Sequence, residues 1–208
     1  LGFNQLRMRT TRDLWDPNYR QESWIHGASG GKPTMILRRA KEWIAKHNPG
    51  MEICLGEYNF GGEDNITGAL AQAEVFGTLA REQIDLAFIW THPEGSQELA
   101  WKLFRNFDGT GSKFGDRYLP SISKQADLSV FASKRNDGAT TIAVVNKNLC
   151  SPCTLKLAVP GLNGSLQVWR FDQTTGKQVV AATKDAQSVN GEITITLPAA
   201  SGTMLVIK

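Results

Sequence analysis

Glu57 has the type and setting to do chemistry. It ends the short apolar run Met51-Glu52-Ile53-Cys54-Leu55-Gly56 and is followed at once by Tyr58-Asn59-Phe60-Gly61-Gly62. A continuous apolar run of this length reads as a buried parallel strand. In barrels of alternating strands and helices, functional side chains sit where strands end and loops begin. The competing reading is a charged strand terminus that is merely solvated or paired. The neighbours favour chemistry: Tyr58 can donate a hydrogen bond to a carboxylate, Asn59 can bond hydroxyl groups, and Gly61-Gly62 let the backbone turn close to a ligand. A second apolar run, Leu86-Ala87-Phe88-Ile89, ends in Trp90-Thr91-His92-Pro93. With Trp15 and Trp24 in a polar stretch, Trp90 suggests a flat, stackable ligand such as a sugar, although core packing is the default for any Trp.

Other reactive types are less telling. Cys54 lies inside the first apolar run and reads as a small buried hydrophobe. Cys150 and Cys153 form a lone C-x-x-C. Zinc would need two more ligands and a redox motif would need a βαβ setting, so a turn is expected, closed by a short disulfide if the protein is exported. A lone His92 after a strand reads as structural. Capping of the following helix accounts for Glu63 and Asp64. Asp16 and Glu22 could hold their loop or a structural calcium ion, though no ligand spacing demands one.

Elements that must position these residues follow in order. Residues 1–32 show no clear periodicity and read as a long binding loop containing Trp15 and Trp24. Pro33 opens a helix with Ile36, Leu37, Ala40, Trp43 and Ile44 on one face, stopped by Asn48-Pro49-Gly50. Asp64 or Asn65 caps a helix striped by Ala69, Leu70, Ala73, Phe76 and Ala80, whose Gly68 and Gly77 permit close approach to a sheet. A further helix from Ser96 packs Leu99, Leu103 and Phe104 and breaks at Asp108-Gly109-Thr110-Gly111. Helix, strand, helix, strand, helix predicts parallel strands. Two strands make no stable sheet, so partners are expected from residues removed or from another polypeptide. From Lys124 the pattern becomes short strands near 128–133, 140–145, 154–159, 166–171, 178–181, 192–197 and 203–207. Asn136-Asp137-Gly138, Leu162-Asn163-Gly164, Thr175-Gly176-Lys177 and Asn190-Gly191 punctuate them. That spacing predicts an antiparallel β-sandwich with its own core.

The 208 residues can hold one large domain or two small ones. A net charge of +3, with both signs interspersed, argues against the concentrated basic face that nucleic acid calls for. No run of about 18 apolar residues predicts a membrane span. The opening Leu1-Gly2-Phe3 reads as the start of a piece cut from something longer, so the missing export signal says nothing about compartment.

Gly56-Glu57-Tyr58-Asn59-Phe60-Gly61-Gly62 with the Gly68-Ala69-Leu70-Ala71-Gln72-Ala73 helix resembles glycoside hydrolase family 44. So do Leu14-Trp15-Asp16-Pro17-Asn18-Tyr19 with Glu22-Ser23-Trp24-Ile25, and the strand ending at Trp90. The resemblance covers essentially the whole chain. It implies an α/β plus all-β fold: residues 1–117 as the C-terminal part of a (β/α)8 TIM barrel (its seventh and eighth strands with flanking helices), and 118–208 as an antiparallel β-sandwich. It implies a secreted bacterial endo-β-1,4-glucanase acting on cellulose, xyloglucan or xylan with no required cofactor. Glu57 would be the nucleophile of a retaining mechanism, with Trp24, Trp90, Tyr58, Asn59 and Trp15 binding substrate. For Trp15, loop packing is the competing role. Family members carry their acid/base on an Asn-Glu-Pro type segment, and the chain has none. On this reading it carries the nucleophile half of the site, and its partner is the upstream part of the same barrel, present in the same or a separate chain. Two alternatives stand beside it. One is a non-catalytic carbohydrate-binding fragment, disfavoured because Phe131 and Trp169 sit where a sandwich core would be. The other is a related retaining hydrolase of xylan or arabinosides.

Overall fold

The structure, a computed structural model, describes residues 2–160 and 164–208, with the side chains of 185, 187 and 188 left aside. Its N-terminal half runs α1 (Gly2–Thr10), a 3-10 turn (Thr11–Leu14), α2 (Ile25–Ala28), α3 (Ile36–His47), β1 (Cys54–Tyr58), α4 (Ile66–Arg81), β2 (Leu86–Ile89) and α5 (Glu98–Arg105). β1 and β2 pair in parallel, as the alternation of elements predicts. Asn65 is the cap of α4, its side chain accepting from the Thr67 amide at 3.0 Å.

The C-terminal half contains β3 (Arg117–Leu119), β4 (Leu128–Lys134), β5 (Thr140–Asn146), β6 (Cys153–Ala158), β7 (Leu166–Phe171), β8 (Val180–Ala181), β9 (Ala186–Val189), β10 (Glu192–Leu197) and β11 (Ser201–Ile207). They form a six-stranded sheet in the order β3-β4-β5-β11-β7-β8, facing a three-stranded sheet β6-β10-β9. All pairings within these two sheets are antiparallel. β3 and β9 carry no strong apolar alternation, and the sequence does not announce them. At Asn190-Gly191 both residues have positive φ (49° and 77°) and join β9 to β10, as a two-residue hairpin of this twist requires. The turn expected at Leu162-Asn163-Gly164 lies, apart from Gly164, outside the described residues.

The layers are fused more closely than the sequence predicts. A sandwich sheet with its own core should present one wet face, yet β5 and β11 are buried at every position. Along β11, Leu205 and Ile207 pack between the two sheets, with Val168, Ile193 and Ile195. Met204 and Val206 point the other way, into a cluster with Ala69, Leu70, Ala73, Leu99, Leu103, Phe104 and Phe131. The sheet therefore covers α4 and α5, and each such fully buried side chain contributes about 1.5–3 kcal/mol. Gly77 is the close approach the sequence suggested, since a Cβ there would strike the Phe131 ring. The opposite side of α4 packs Val75 and Leu79 against Leu55, Tyr58, Ala87 and Ile89 of the parallel pair.

Three further expectations need correcting, and a fourth, the turn at Cys150 and Cys153, holds. Residues 2–28 hold helices, not a structureless loop. α1 is anchored by polar contacts, Arg7 donating to the Phe60 carbonyl (3.0 Å) and to Thr67 Oγ1 (2.7 Å), which leave no apolar period to read. In α3 only Leu37 of the apolar face is buried; Ile36 and Trp43 are exposed, the latter under the Arg39 guanidinium. β1 and β2 are covered on one face only. Cys54 is exposed, and so are Leu86, Phe88 and Trp90, because each strand has only the other as a neighbour. Cys150 and Cys153 are free thiols; the Cys150 and Ser151 amides donate to Asn148 Oδ1, which makes the turn.

Past the end of α5, Asp108 Oδ1 accepts from the amides of Thr110 (2.9 Å) and Ser112 (3.1 Å). Burial pushes this carboxyl up, but hydrogen bonds from Ser112 and Thr110 outweigh it and hold it at about 2. With the native pKa below the unfolded value of about 3.9, the turn's contribution is complete above that value and disappears as pH falls toward 2. The melting temperature of Asp108→Asn is thus expected to drop less than that of the parent between those limits. Parallel curves would show that the turn does not hold the anion.

Candidate active site

Leu55 pairs with Ala87 and Tyr58 with Ile89, so three steps along β1 match two along β2. One residue is extra, and Glu57 has φ +52°, the left-handed region that a side chain with a Cβ seldom adopts. The bulge resets the alternation. Leu55 and Tyr58 both face α4, while Glu57 is turned to the exposed face that Phe88 and Trp90 share. Bulges that re-aim a side chain, and non-glycine residues in αL, concentrate at functional sites. The neighbouring strand ends in the same manner: the Trp90 amide donates to the Tyr58 carbonyl at 2.9 Å, and Thr91 has φ +84°. The Glu57 side chain makes no hydrogen bond or ion pair with another described residue. It is a carboxylate on strained backbone, open to whatever meets this face.

Tyr58 does not serve it. The bulge sends the ring into the core, where its hydroxyl accepts from Gln72 Nε2 at 2.7 Å. Burial pushes the phenol up, and the Gln72 bond only partly offsets this. A ligand-binding role for Tyr58 is thereby corrected to a packing one.

Asn59 is near the site but already occupied. Its Nδ2 donates to Glu63 Oε1 and to the Trp90 carbonyl, both at 3.2 Å. Its Oδ1 accepts from the Gly61 amide (2.7 Å) and from Gln97 Nε2 (3.4 Å). Gln97 also donates to the Gly61 carbonyl at 3.3 Å. Asn59 therefore ties the loop after β1 to the strand end bearing Trp90, and Glu63 joins that clamp rather than capping α4. Asn59→Asp would set a carboxylate against both Glu63 and a carbonyl. We expect a loss of about 1 kcal/mol in chemical denaturation; an unchanged midpoint would mean the clamp carries no energy.

Gly61 and Gly62 have φ +69° and +80°. What approaches Gly62 is the Arg7 guanidinium, 2.7 Å from a Cβ built there, and not an open ligand path. Sequence reasoning missed Arg7 and Gln97, and only the fold brings them to the loop.

Trp24 is 81% exposed at the start of α2. The preceding Gln21-Glu22-Ser23 lines, with Asn59 and Phe60, a cavity of about 320 Å³, so this loop adjoins the strand-end loop. Glu22 holds it in place: Arg9 forms a two-pronged ion pair (2.6 and 2.7 Å) and Tyr19 donates at 3.0 Å. The Arg9 hydrogen bond is the main cause that draws the Glu22 pKa down. Asp16 likewise pairs with Arg12 at 2.8 Å. Both carboxylates hold the loop, and no group of three or more His, Cys, Asp or Glu converges among the described residues. Trp15 lies elsewhere, half-buried on the Leu14–Leu37 cluster with Arg81 4.0 Å and Arg38 5.6 Å from its ring centroid. Its faces are taken, which supports packing over stacking on a ligand. His92 is exposed.

No protein-family model matches the chain. It is 29% identical to endoglucanase A of Paenibacillus lautus over 215 residues, taking in 100% of the chain and 30% of that protein. Among solved structures, a glycoside hydrolase family 44 endoglucanase produced by Clostridium acetobutylium superposes with TM-score 0.90 at 31% identity, over 98% of the chain and 41% of that one. A family 44 xyloglucanase of Paenibacillus polymyxa gives TM-score 0.88 at 31% identity, over 99% and 41%. The chain spans less than half the length of each. In sequence and in fold, it matches part of a family 44 glycoside hydrolase.

Proposed function

We propose that the chain carries the nucleophile half of a retaining endo-β-1,4-glucanase site, within a secreted enzyme that acts on cellulose- or xyloglucan-type polysaccharide. The carrying observation is Glu57 itself, a carboxylate turned by an αL bulge onto the same open sheet face as Trp90. The endoglucanase and xyloglucanase relatives support the substrate class. Glu57 would attack the anomeric carbon and form a glycosyl ester, while a second carboxyl about 5–5.5 Å away protonates the leaving oxygen and then deprotonates water. Trp90 would stack on a sugar ring beside the scissile bond, and Trp24 would extend that platform. Asn59 acts as a positioning residue.

The second carboxyl would come from the remainder of a (β/α)8 barrel, whether in one chain or two, closing over the exposed Leu86, Phe88 and Trp90. The test is reducing-sugar release from carboxymethylcellulose and xyloglucan, by the 208 residues alone and with the upstream part of the barrel. Release only in the second case is expected. Release by the 208 residues alone would place the acid among them and overturn the half-site reading.

A further inference from the structure

A cavity of about 490 Å³ lies between the N-terminal helices and the six-stranded sheet, with no residue of β1 or β2 in its walls. Arg12, Arg38, Arg81 and Lys147 bring positive charge to those walls, and Asp16 and Glu74 bring negative charge. Two of the cations are matched one to one, Arg12 with Asp16 at 2.8 Å and Lys147 with Glu74 at 3.6 Å. Arg38 and Arg81 share a single carboxylate. Glu82, buried and outside the walls, takes both guanidiniums, at 3.2 and 3.1 Å. The same two groups lie 5.6 and 4.0 Å from the Trp15 ring centroid. One positive charge beside the cavity is therefore left over.

The donors that are left over can be reached. Arg12 Nη1 and Nη2, Arg38 Nη1 and Arg81 Nη1 donate no hydrogen bond to a described residue, and none of these four nitrogens is closed off from solvent. Two guanidiniums on one carboxylate repel each other unless something answers the second charge. What such groups select is an oxyanion, because a guanidinium presents its N–H groups as a planar fork that matches the oxygens of a carboxylate or phosphate. A cavity of this volume has room for a small molecule that carries one.

We infer that this cavity binds a small molecule through an oxyanion, a phosphate or a carboxylate group, held by the free N–H groups of Arg12, Arg38 and Arg81. The inference goes beyond the strand-end reading and does not rest on the role of Glu57.

The chain has six Trp, so its nitrogen-15 correlated NMR spectrum carries six indole N–H signals, and Trp15→Phe assigns the one beside Arg38 and Arg81. At constant ionic strength, sodium phosphate or sodium glucuronate is expected to move that signal saturably, and the tighter of the two names the oxyanion. Glucose, which lacks the carboxylate, and sodium chloride should leave it in place. Arg38→Gln should weaken the affinity about tenfold, since a charge-assisted bond is lost. Should that variant fail to fold, Arg12→Gln carries the same expectation. Glu74→Gln, which takes a negative charge out of the wall, should tighten binding several-fold, a change that damage to the fold would not produce. A Trp15 signal indifferent to both oxyanions would mean a water-filled cavity only. One that follows chloride equally would mean screening of surface charge, and one that answers glucose as it answers glucuronate would mean a site that does not read charge. Each of these three overturns the inference. Failure of the Glu57 reading would leave the Trp15 titration unchanged.

Discussion

Glu57→Gln is expected to remove nearly all turnover from the full-length enzyme, by about four to six powers of ten, the range found when single members of a catalytic triad are removed, while polysaccharide affinity is kept. The side chain keeps its shape and loses the charge that attacks carbon. The same position supports a second readout. Holding a residue with a Cβ at φ +52° costs about 1–2 kcal/mol, and glycine escapes this cost. Glu57→Gly should therefore be as inactive as Glu57→Ala yet more stable by about 1 kcal/mol in chemical denaturation. Strain kept at the expense of stability is what a working site predicts. Retained turnover in Glu57→Gln would sink the nucleophile assignment. Equal stability of the glycine and alanine variants would sink the strain argument and leave the chemistry standing.

Gly68→Ala should have the largest effect on stability. Gly68 is buried in the first turn of α4, and a Cβ there would run into the carbonyl groups of Gly61 and Gly62. Both obstacles are backbone, so no rotamer change relieves them. Moving that backbone disturbs the Arg7 contact with Phe60 and the Asn59–Gln97 clamp together. We expect a loss of about 3 kcal/mol, at the upper end for overpacking, seen as a lower urea midpoint at unchanged slope. Turnover of the folded fraction should fall as well, because the displaced loop is the one that fixes Trp90. A loss under about 0.5 kcal/mol, the range of surface substitutions, would mean the loop after β1 yields freely and is not rigidly set by α4.

Much of this was legible from residue order. Asn65 as a cap, the parallel pair, the buried Leu99, Leu103 and Phe104, and the hairpin at Asn190-Gly191 all follow from local rules, because each depends on a few neighbours along the chain. Glu57 was legible as a strand-end carboxylate. Its neighbour Tyr58 was misread because one extra residue in β1 exchanges the two faces, and nothing in the apolar pattern marks the insertion. α1 was missed for a different reason: its anchor is a guanidinium among oxygens. For Trp15 the sequence left packing and substrate binding both open, because Arg38 and Arg81, which occupy its faces, are distant in sequence.

The two-sided burial of β11 bears on how such a protein can be cut and recombined. A module that travels between genes as a cassette must bring its own interior with it. Here alternate side chains of one strand belong to different interiors, Met204 and Val206 to the helical side and Leu205 and Ile207 to the space between sheets. A junction placed at the visible change from helices to strands would strip the six-stranded sheet of half its lining and leave α4 and α5 bare. The C-terminal sheets behave as a buttress cast in one piece with the helices, and an engineer exchanging them would have to exchange the facing residues of α4 and α5 as well.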